Sequence, residues 1–200
     1  MLDALESDLK KSLVTTKVLT SNFKFIDEAS KKSHAYNDSL YIPFYYHLGK
    51  YLKPNSLLEV GVDLGFISSC FLKSCKTVDH CFGFQSKTEI NWDKSLYLSN
   101  IKKNYKKNIE TYYGDFLDKT FLENIENKKF DVAIISIKDN YDKLFALCDF
   151  IYLNLNKNGY MVFDHIKNNK SKEIFFNIAN GYKKEYKVFE TRNLTGVIKK

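Results

Sequence analysis

The sequence predicts an α/β fold with a doubly wound, mainly parallel sheet that ends in an antiparallel C-terminal hairpin. Two observations predict the parallel part. Short apolar runs alternate with segments of helical periodicity along most of the 200 residues, which is the order that parallel sheets require. A loop bracketed by glycines also joins the first apolar run to a helical segment. The hairpin is predicted because only a short turn separates the last two strand-like runs.

Two helices are predicted before the first strand. Leucines and a valine recur at helical spacing between residues 2 and 19, and a second apolar pattern covers residues 41–52, with Pro43 in its opening turn. Residues 20–38 are polar and mixed in character. We therefore expect a single-domain protein with an N-terminal helical extension, residues 1–38, followed by the α/β domain, residues 39–200.

The remaining elements follow from the alternating pattern. The predicted parallel strands are residues 56–60, 81–84, 109–113, 130–135 and 160–163, and the predicted helices are residues 66–73, 92–105, 121–125, 141–155 and 174–179. Asn158 and Gly159 are expected to cap the fourth of these helices. Residues 186–190 and 196–198 are the two strands of the hairpin.

Charge and composition limit the range of partners. The net charge of +7 suggests nucleic acid, but all except one of the 31 basic residues are lysines. Arginine is the residue that reads phosphates and guanines with two hydrogen bonds. The lysine-rich clusters therefore indicate solvated faces, and nucleic acid is not a favoured partner.

Several features predict a soluble cytoplasmic protein without a membrane partner. No apolar run approaches the length of a bilayer span, and the acidic first residues do not fit a signal peptide. The four cysteines lack paired spacing and zinc-finger order, which favours buried free thiols. The oligomeric state is open, and a homodimer is one expectation.

The first predicted strand continues into the pattern Glu59-x-Gly61-x-Asp63-x-Gly65. Gly61 lets the backbone approach an adenosyl group, and Gly65 opens a helix whose N–H groups favour an anion. The middle glycine of the dinucleotide fingerprint is missing, so a compact nucleoside with an amino-acid tail fits better. A turn that needs glycines only for its geometry is the alternative. Val in place of Gly61 is expected to abolish ligand binding and to leave the fold intact.

With this motif the chain resembles the class I S-adenosylmethionine-dependent methyltransferases, which have a Rossmann-like fold. The resemblance implies S-adenosylmethionine as cofactor, with Glu59 near its methionine end and the glycines under its adenosyl group. Asp63 is expected to be a further cofactor contact. It implies an acid for the ribose after the second strand, where Gln85 is a neutral, weaker acceptor. Asp115 matches the acid that borders the adenine, or alternatively caps the next helix.

The ends of the fourth and fifth strands resemble those of small-molecule and sugar O-methyltransferases, some of which are metal-dependent. Asp164-His165 matches the family's Asp-His pair, while Ser136 and Lys138 replace acids before Asp139. From its chemistry His165 is predicted as general base, a role that Lys138 could take only if burial lowered its pKa. Asp139 is predicted as a further catalytic residue and Ser136 as a cofactor contact. The resemblance implies Mg²⁺ on Asp139 and Asp164, with substrate oxygens completing the shell. A capping or core histidine is the alternative for His165.

These features predict methyl transfer to a hydroxyl of a small molecule or sugar. Two alternatives stay open. The replacements at Gln85, Ser136 and Lys138 fit a degenerate member that binds or assembles without catalysis. The lysine clusters fit a nucleic-acid methyltransferase, although the Asn/Asp-Pro-Pro-Tyr motif of amino-group enzymes is absent, since the only prolines are Pro43 and Pro54.

Overall fold

The computed structural model describes residues 2–16, 41–87, 92–103, 105–106, 109–137, 140–191 and 193–200. Within these residues the helices are α1 (Leu2–Thr16), α2 (Tyr41–Leu52), α3 (Phe66–Ser74), α4 (Lys94–Lys102), α5 (Lys119–Glu126), α6 (Tyr141–Asn154) and α7 (Asn169–Gly181). The strands are β1 (Ser56–Val60), β2 (His80–Ser86), β3 (Ile109–Gly114), β4 (Phe130–Ile135), β5 (Leu155–Phe163), β6 (Tyr186–Phe189) and β7 (Thr195–Lys199).

The strands form one seven-stranded sheet in the order β3-β2-β1-β4-β5-β7-β6. Strands β1 to β5 pair in parallel, whereas β7 lies antiparallel to both β5 and β6. The predicted fold class is therefore confirmed. The strand order reverses between β1 and β4, and in open parallel sheets ligands bind beyond the carboxyl ends of the strands at such a point.

Both faces of the sheet are covered. Every residue of β1 is buried, and its alternate side chains enter different cores, Leu57 on one face and Leu58 and Val60 on the other. Helices α1 to α4 contribute to the first core, and α5 to α7 contribute to the second. The continuous burial of β1 follows from this, because a strand with helices on both faces has no solvent side.

Several element boundaries differ from the sequence prediction, among them the start of β5 and the start of α4. Helix α6 ends at Asn154 and β5 begins at the next residue, so Asn158 and Gly159 lie inside β5 and do not cap the helix. Asn158 has a φ of 66°, a conformation that asparagine tolerates better than most residues and that is more typical of turns. Helix α4 begins at Lys94 because Asp93 is its N-cap and accepts a hydrogen bond from the Leu96 N–H.

Helix α1 packs against the same core as α2. Leu2, Leu5 and Leu9 are buried in that core. On its polar side, the Lys187 ammonium of β6 lies 2.8 Å from an Asp3 carboxylate oxygen and 2.6 Å from a Glu6 oxygen. Residues 17–40 lie outside the described residues, so the proposed boundary at residue 38 stays a prediction. Of the helices described, none is long and apolar enough to cross a membrane.

Candidate active site

The predicted site residues that the structure describes lie at the carboxyl ends of five parallel strands, either in the last residues of a strand or in the loop that follows it. Residues 61–65 follow β1, Gln85 is near the end of β2, Asp115 follows β3, Ser136 follows β4, and Asp164-His165 follows β5. The pairings β2-β1-β4-β5 bring four of these loops together around the point where the strand order reverses. Lys138 and Asp139 lie outside the described residues.

Gly61 allows two loops of the protein to pass each other closely. Its φ is 89°, and its N–H donates to the Phe84 carbonyl at 2.8 Å. A Cβ on Gly61 would lie 2.7 Å from the Ser136 carbonyl oxygen and 2.5 Å from a methyl carbon of Ile137. The expectation that the fold would tolerate Val at this position is therefore wrong, because the side chain would meet backbone that follows β4.

Gly65 and Asp63 form the turn into α3. Gly65 is the N-cap of α3 with a φ of 74°, and it provides no side-chain cap. A Cβ there would lie 2.8 Å from a ring carbon of Tyr97. Asp63 also has a positive φ, 42°, and its side chain is exposed. The turn thus presents an exposed carboxylate beside the start of a helix.

Glu59 caps α3 from the neighbouring strand. Its carboxylate is buried and accepts hydrogen bonds from the Ser68 N–H, at 3.1 Å, and from the Ser68 hydroxyl. Burial raises the pKa of Glu59 to about 8, against the opposing effect of these two hydrogen bonds. The first N–H groups of a helix have no partner within the helix, so the Glu59 side-chain oxygen supplies an acceptor that Gly65 lacks. Its contact with the methionine end of a cofactor stays a prediction.

An aromatic pair extends across the end of β2. Gln85 is fully buried, and its side-chain oxygen accepts from the Asp63 N–H at 2.9 Å. The Trp92 indole N–H donates to the Asp63 carbonyl at 2.7 Å, and its ring stacks on Tyr113 with the centroids 5.5 Å apart. Because β2 lies between β1 and β3, Trp92 connects the loop after β1 with the end of β3. The role of Gln85 in binding a ribose stays a prediction.

Asp115 forms a turn of its own. One carboxylate oxygen accepts from the Leu117 N–H at 2.9 Å, and the other lies 3.9 Å from the Lys143 ammonium. The N-cap position of α5 is held by Asp118, so Asp115 does not cap that helix. The Asp115 side chain is exposed, and its predicted contact with an adenine stays a prediction.

Asp164 is the centre of a buried polar cluster. Its carboxylate accepts hydrogen bonds from the hydroxyls of Tyr41 (2.9 Å), Tyr45 (2.8 Å) and Ser136 (3.3 Å). The Nδ1 atom of His165 lies 2.7 Å from the same carboxylate, and the Asp164 side chain has no exposed surface. The cluster therefore joins α2, the end of β4 and the end of β5.

His165 is the member of this cluster that reaches solvent. Its side chain is 34% exposed, and its backbone φ is 69°. Successive side chains on an extended strand point to opposite sides, so this left-handed conformation turns the imidazole back onto the carboxylate of the preceding residue. With Nδ1 held 2.7 Å from the Asp164 carboxylate, Nε2 is the nitrogen that remains to accept a proton.

The described residues do not fit a divalent cation on Asp164. Its carboxylate already accepts from three hydroxyls and contacts Nδ1 of His165, and a hard cation needs several free oxygen ligands. Among the described residues there is also no group of three His, Cys, Asp or Glu side chains that could hold a metal ion. The four cysteines are buried and free, as the sequence predicts.

Sequence reasoning missed four residues of this site, Tyr41, Tyr45, Ser68 and Trp92. The sequence predicts that Tyr41 and Tyr45 lie on the second helix, but it does not indicate the hydrogen-bond partners of their hydroxyls. The available signal was the hydroxyl itself, because a buried tyrosine usually has a hydrogen-bond partner, whereas phenylalanine would suit an apolar contact. Ser68 is likewise a polar residue in the apolar pattern of α3.

A separate groove of about 540 Å³ lies between α1 and α2. It is near the amino end of β1, because Lys53 precedes that strand, and therefore at the other end of α2 from Tyr41. It is lined by Asp8, Leu9, Lys11, His47, Lys50, Tyr51 and Lys53. The groove is thus not part of the site at the carboxyl ends of the strands.

Solved O-methyltransferases share this fold. A Staphylococcus aureus protein named as a caffeoyl-CoA O-methyltransferase aligns with a TM-score of 0.68 and 15% identity, over 96% of this chain and 100% of the other. TomG, an O-methyltransferase from Streptomyces achromogenes solved with S-adenosylmethionine, has a TM-score of 0.65 and 11% identity, over 96% and 98%. A Bacillus cereus O-methyltransferase solved with S-adenosylhomocysteine has a TM-score of 0.61 and 14% identity, over 97% and 91%.

At these identities the similarity shows the fold. No family model matches the sequence, and the search of curated proteins finds no match.

Proposed function

We propose that this protein is an S-adenosylmethionine-dependent methyltransferase that acts on a hydroxyl group of a small molecule or sugar. The observation that carries the proposal is the partly exposed imidazole of His165, held by a buried carboxylate beside the reversal point of the strand order. The similar structures support the cofactor, since TomG is in complex with S-adenosylmethionine and the Bacillus cereus enzyme with S-adenosylhomocysteine.

The residues at the carboxyl ends of the strands fit this cofactor. Its adenine suits the stacked rings of Trp92 and Tyr113, and Asp115 lies beyond the end of β3. Its charged amino-acid tail suits the exposed Asp63 and the start of α3. When bound, the cofactor supplies an electrophilic methyl group on its sulfonium sulfur. Ser136, between β1 and β5, is proposed to lie beside that group.

The residues of the chain orient the two reactants and remove the proton of the acceptor hydroxyl. His165 Nε2 takes the proton of the acceptor hydroxyl as the oxygen forms its bond to the methyl carbon and the bond from that carbon to sulfur breaks. Holding the two reactants in line supplies much of the rate. Lys138 and Asp139 are proposed as further groups beside the acceptor, on the strength of their position after β4 in the sequence.

A binding or assembly module without catalysis is the second candidate. Two observations favour it. The Glu59 carboxylate is turned to Ser68, and Gln85 is fully buried with its oxygen on the Asp63 N–H. Both residues correspond to cofactor contacts in the family that the chain resembles, so weak cofactor binding would support this candidate.

The binding test uses the only tryptophan in the sequence as its reporter. Titration with S-adenosylmethionine or S-adenosylhomocysteine is expected to change Trp92 fluorescence and to raise the melting temperature. Both effects should be the same with Mg²⁺ and with chelator. Tyr113→Ala should weaken binding, whereas Tyr186→Ala, a change at another exposed tyrosine on β6, should not. Absence of any fluorescence or thermal response would refute the proposed cofactor.

The activity test uses a panel of hydroxylated small molecules and a radiolabelled methyl group. His165→Gln should bind the cofactor normally and lose most methyl transfer. His80→Gln is the matched control, because His80 is exposed at the amino end of β2. Cofactor binding with no transfer to any member of the panel would favour the binding module.

The proposal includes a cytoplasmic location, which the four free thiols support because the cytosol keeps thiols reduced. A homodimer stays a prediction, to be measured by light scattering.

A further inference from the structure

Helix α2 supplies two of the three hydroxyls that donate to the Asp164 carboxylate. A buried carboxylate is costly unless hydrogen bonds replace its hydration. Oδ1 accepts from Tyr45, while Oδ2 accepts from Tyr41 and Ser136 and lies 2.7 Å from His165 Nδ1. The two tyrosine hydroxyls therefore hold both oxygens and fix the plane of the carboxylate.

Both tyrosines are themselves held in place. They are four residues apart on α2, so they lie on the same face of the helix, and their rings pack edge to face with centroids 5.0 Å apart. Burial, and then the charge of Asp164, raises the pKa of each hydroxyl well above its ordinary value, so both keep the proton that they donate. The Tyr45 hydroxyl also lies 3.3 Å from that of Thr195, which continues the cluster to β7.

The orientation of the carboxylate decides the orientation of His165. The imidazole contacts Oδ2, the oxygen that would move if the carboxylate rotated. As long as Oδ2 faces Nδ1, the neutral imidazole has its proton on Nδ1 and a free electron pair on Nε2. If the carboxylate rotated, it would no longer favour the proton on Nδ1, and the imidazole would be a mixture of both tautomers.

We propose that Tyr41 and Tyr45 are positioning residues, which hold the Asp164 carboxylate with hydroxyl donors in place of a cation and so keep His165 in the tautomer with Nε2 available. The role of that nitrogen as a base rests on the proposed function. The geometry of the carboxylate and of the imidazole does not, and it is measurable without cofactor or acceptor.

The first experiment observes the imidazole by long-range ¹H–¹⁵N NMR on histidine-labelled protein, at a pH well above the ordinary histidine value of about 6.5. The His165 signals are assigned with His165→Gln. In the wild type, His165 is expected to show one tautomer, with the proton on Nδ1. Tyr45→Phe and the double change Tyr41→Phe, Tyr45→Phe are expected to give a second set of His165 signals or a shift to the other tautomer.

The matched control is Tyr46→Phe, the same chemical change on the same helix, since Tyr46 packs on the ring of His47 and not on Asp164. It should leave the His165 signals unchanged. Thermal melting of each variant separates loss of fold from loss of orientation. A mixed tautomer in the wild type, or unchanged His165 signals in a folded double variant, would overturn the proposal.

The second experiment asks whether the tyrosines exclude a cation. Mn²⁺ alone is added to the wild type and to Asp164→Asn, and free Mn²⁺ is followed by electron paramagnetic resonance. The same free Mn²⁺ with both proteins supports the proposal, whereas stoichiometric binding that Asp164→Asn abolishes would overturn it. Failure of cofactor binding in the fluorescence titration would refute the proposed function and leave both of these results standing.

Discussion

Gly61→Ala should destabilise the protein strongly, and the structure allows the effect to be worked out. The added Cβ would lie 2.5 Å from an Ile137 methyl carbon and 2.7 Å from the Ser136 carbonyl oxygen. A φ of 89° adds backbone strain of about 1–2 kcal/mol for a residue with a Cβ, and overpacking against backbone adds about 1–3 kcal/mol. The sum is roughly 2–5 kcal/mol, from a total stability on the order of 5–15 kcal/mol.

Urea unfolding and thermal melting measure this effect. We expect a decrease in melting temperature of roughly 4–20 °C, since each kcal/mol corresponds to about 2–4 °C for a chain of this size. Gly181→Ala is the matched control, because nothing lies within 4 Å of a Cβ at that position, at the end of α7. It should change stability by less than about 1 kcal/mol. A Gly61→Ala protein as stable as the wild type would refute the close approach of the loops after β1 and β4.

Three further predictions test the pKa of Glu59, the packing of Phe121 and the ion pairs of Glu6. Because the folded chain keeps the Glu59 proton up to about pH 8 and the unfolded chain releases it near 4.5, stability should fall as pH rises through this window, and Glu59→Gln should flatten the fall. Phe121→Ala, which empties a fully buried position, should cost about 3–5 kcal/mol in urea unfolding, whereas the exposed Leu117→Ala should cost less than about 0.5 kcal/mol. Lysines hold the pKa of Glu6 down at about 2, so its contribution to stability should be lost as pH falls from 4.5 towards 2, and Lys187→Ala should reduce that loss in acid melts.

The sequence predicted the elements whose residues have one structural role. Strands β1 and β4 are mostly apolar because helices cover both faces, and such runs are recognisable without a structure. The start of β5 was not recognisable, since Asn158 and Gly159 have the composition of a turn although they lie within a strand.

The site was harder to predict because its polar contacts link distant parts of the chain. Tyr41 and Tyr45 meet Asp164 across 123 and 119 residues, and no local pattern indicates which carboxylate a buried hydroxyl will find. Gly61 shows the same limit. Its sequence motif indicated a special backbone conformation, but no local pattern indicated that an added side chain would meet the loop after β4.

Helix α1 packs over one face of the C-terminal hairpin. Leu2, Leu5 and Leu9 belong to the same core as Phe189 and Val197 of β6 and β7. A chain that lacks residues 2–16 would expose this apolar surface to water next to an edge strand, a combination that promotes self-association. Helix α1 thus protects the solubility of the fold at the end of the sheet farthest from β3.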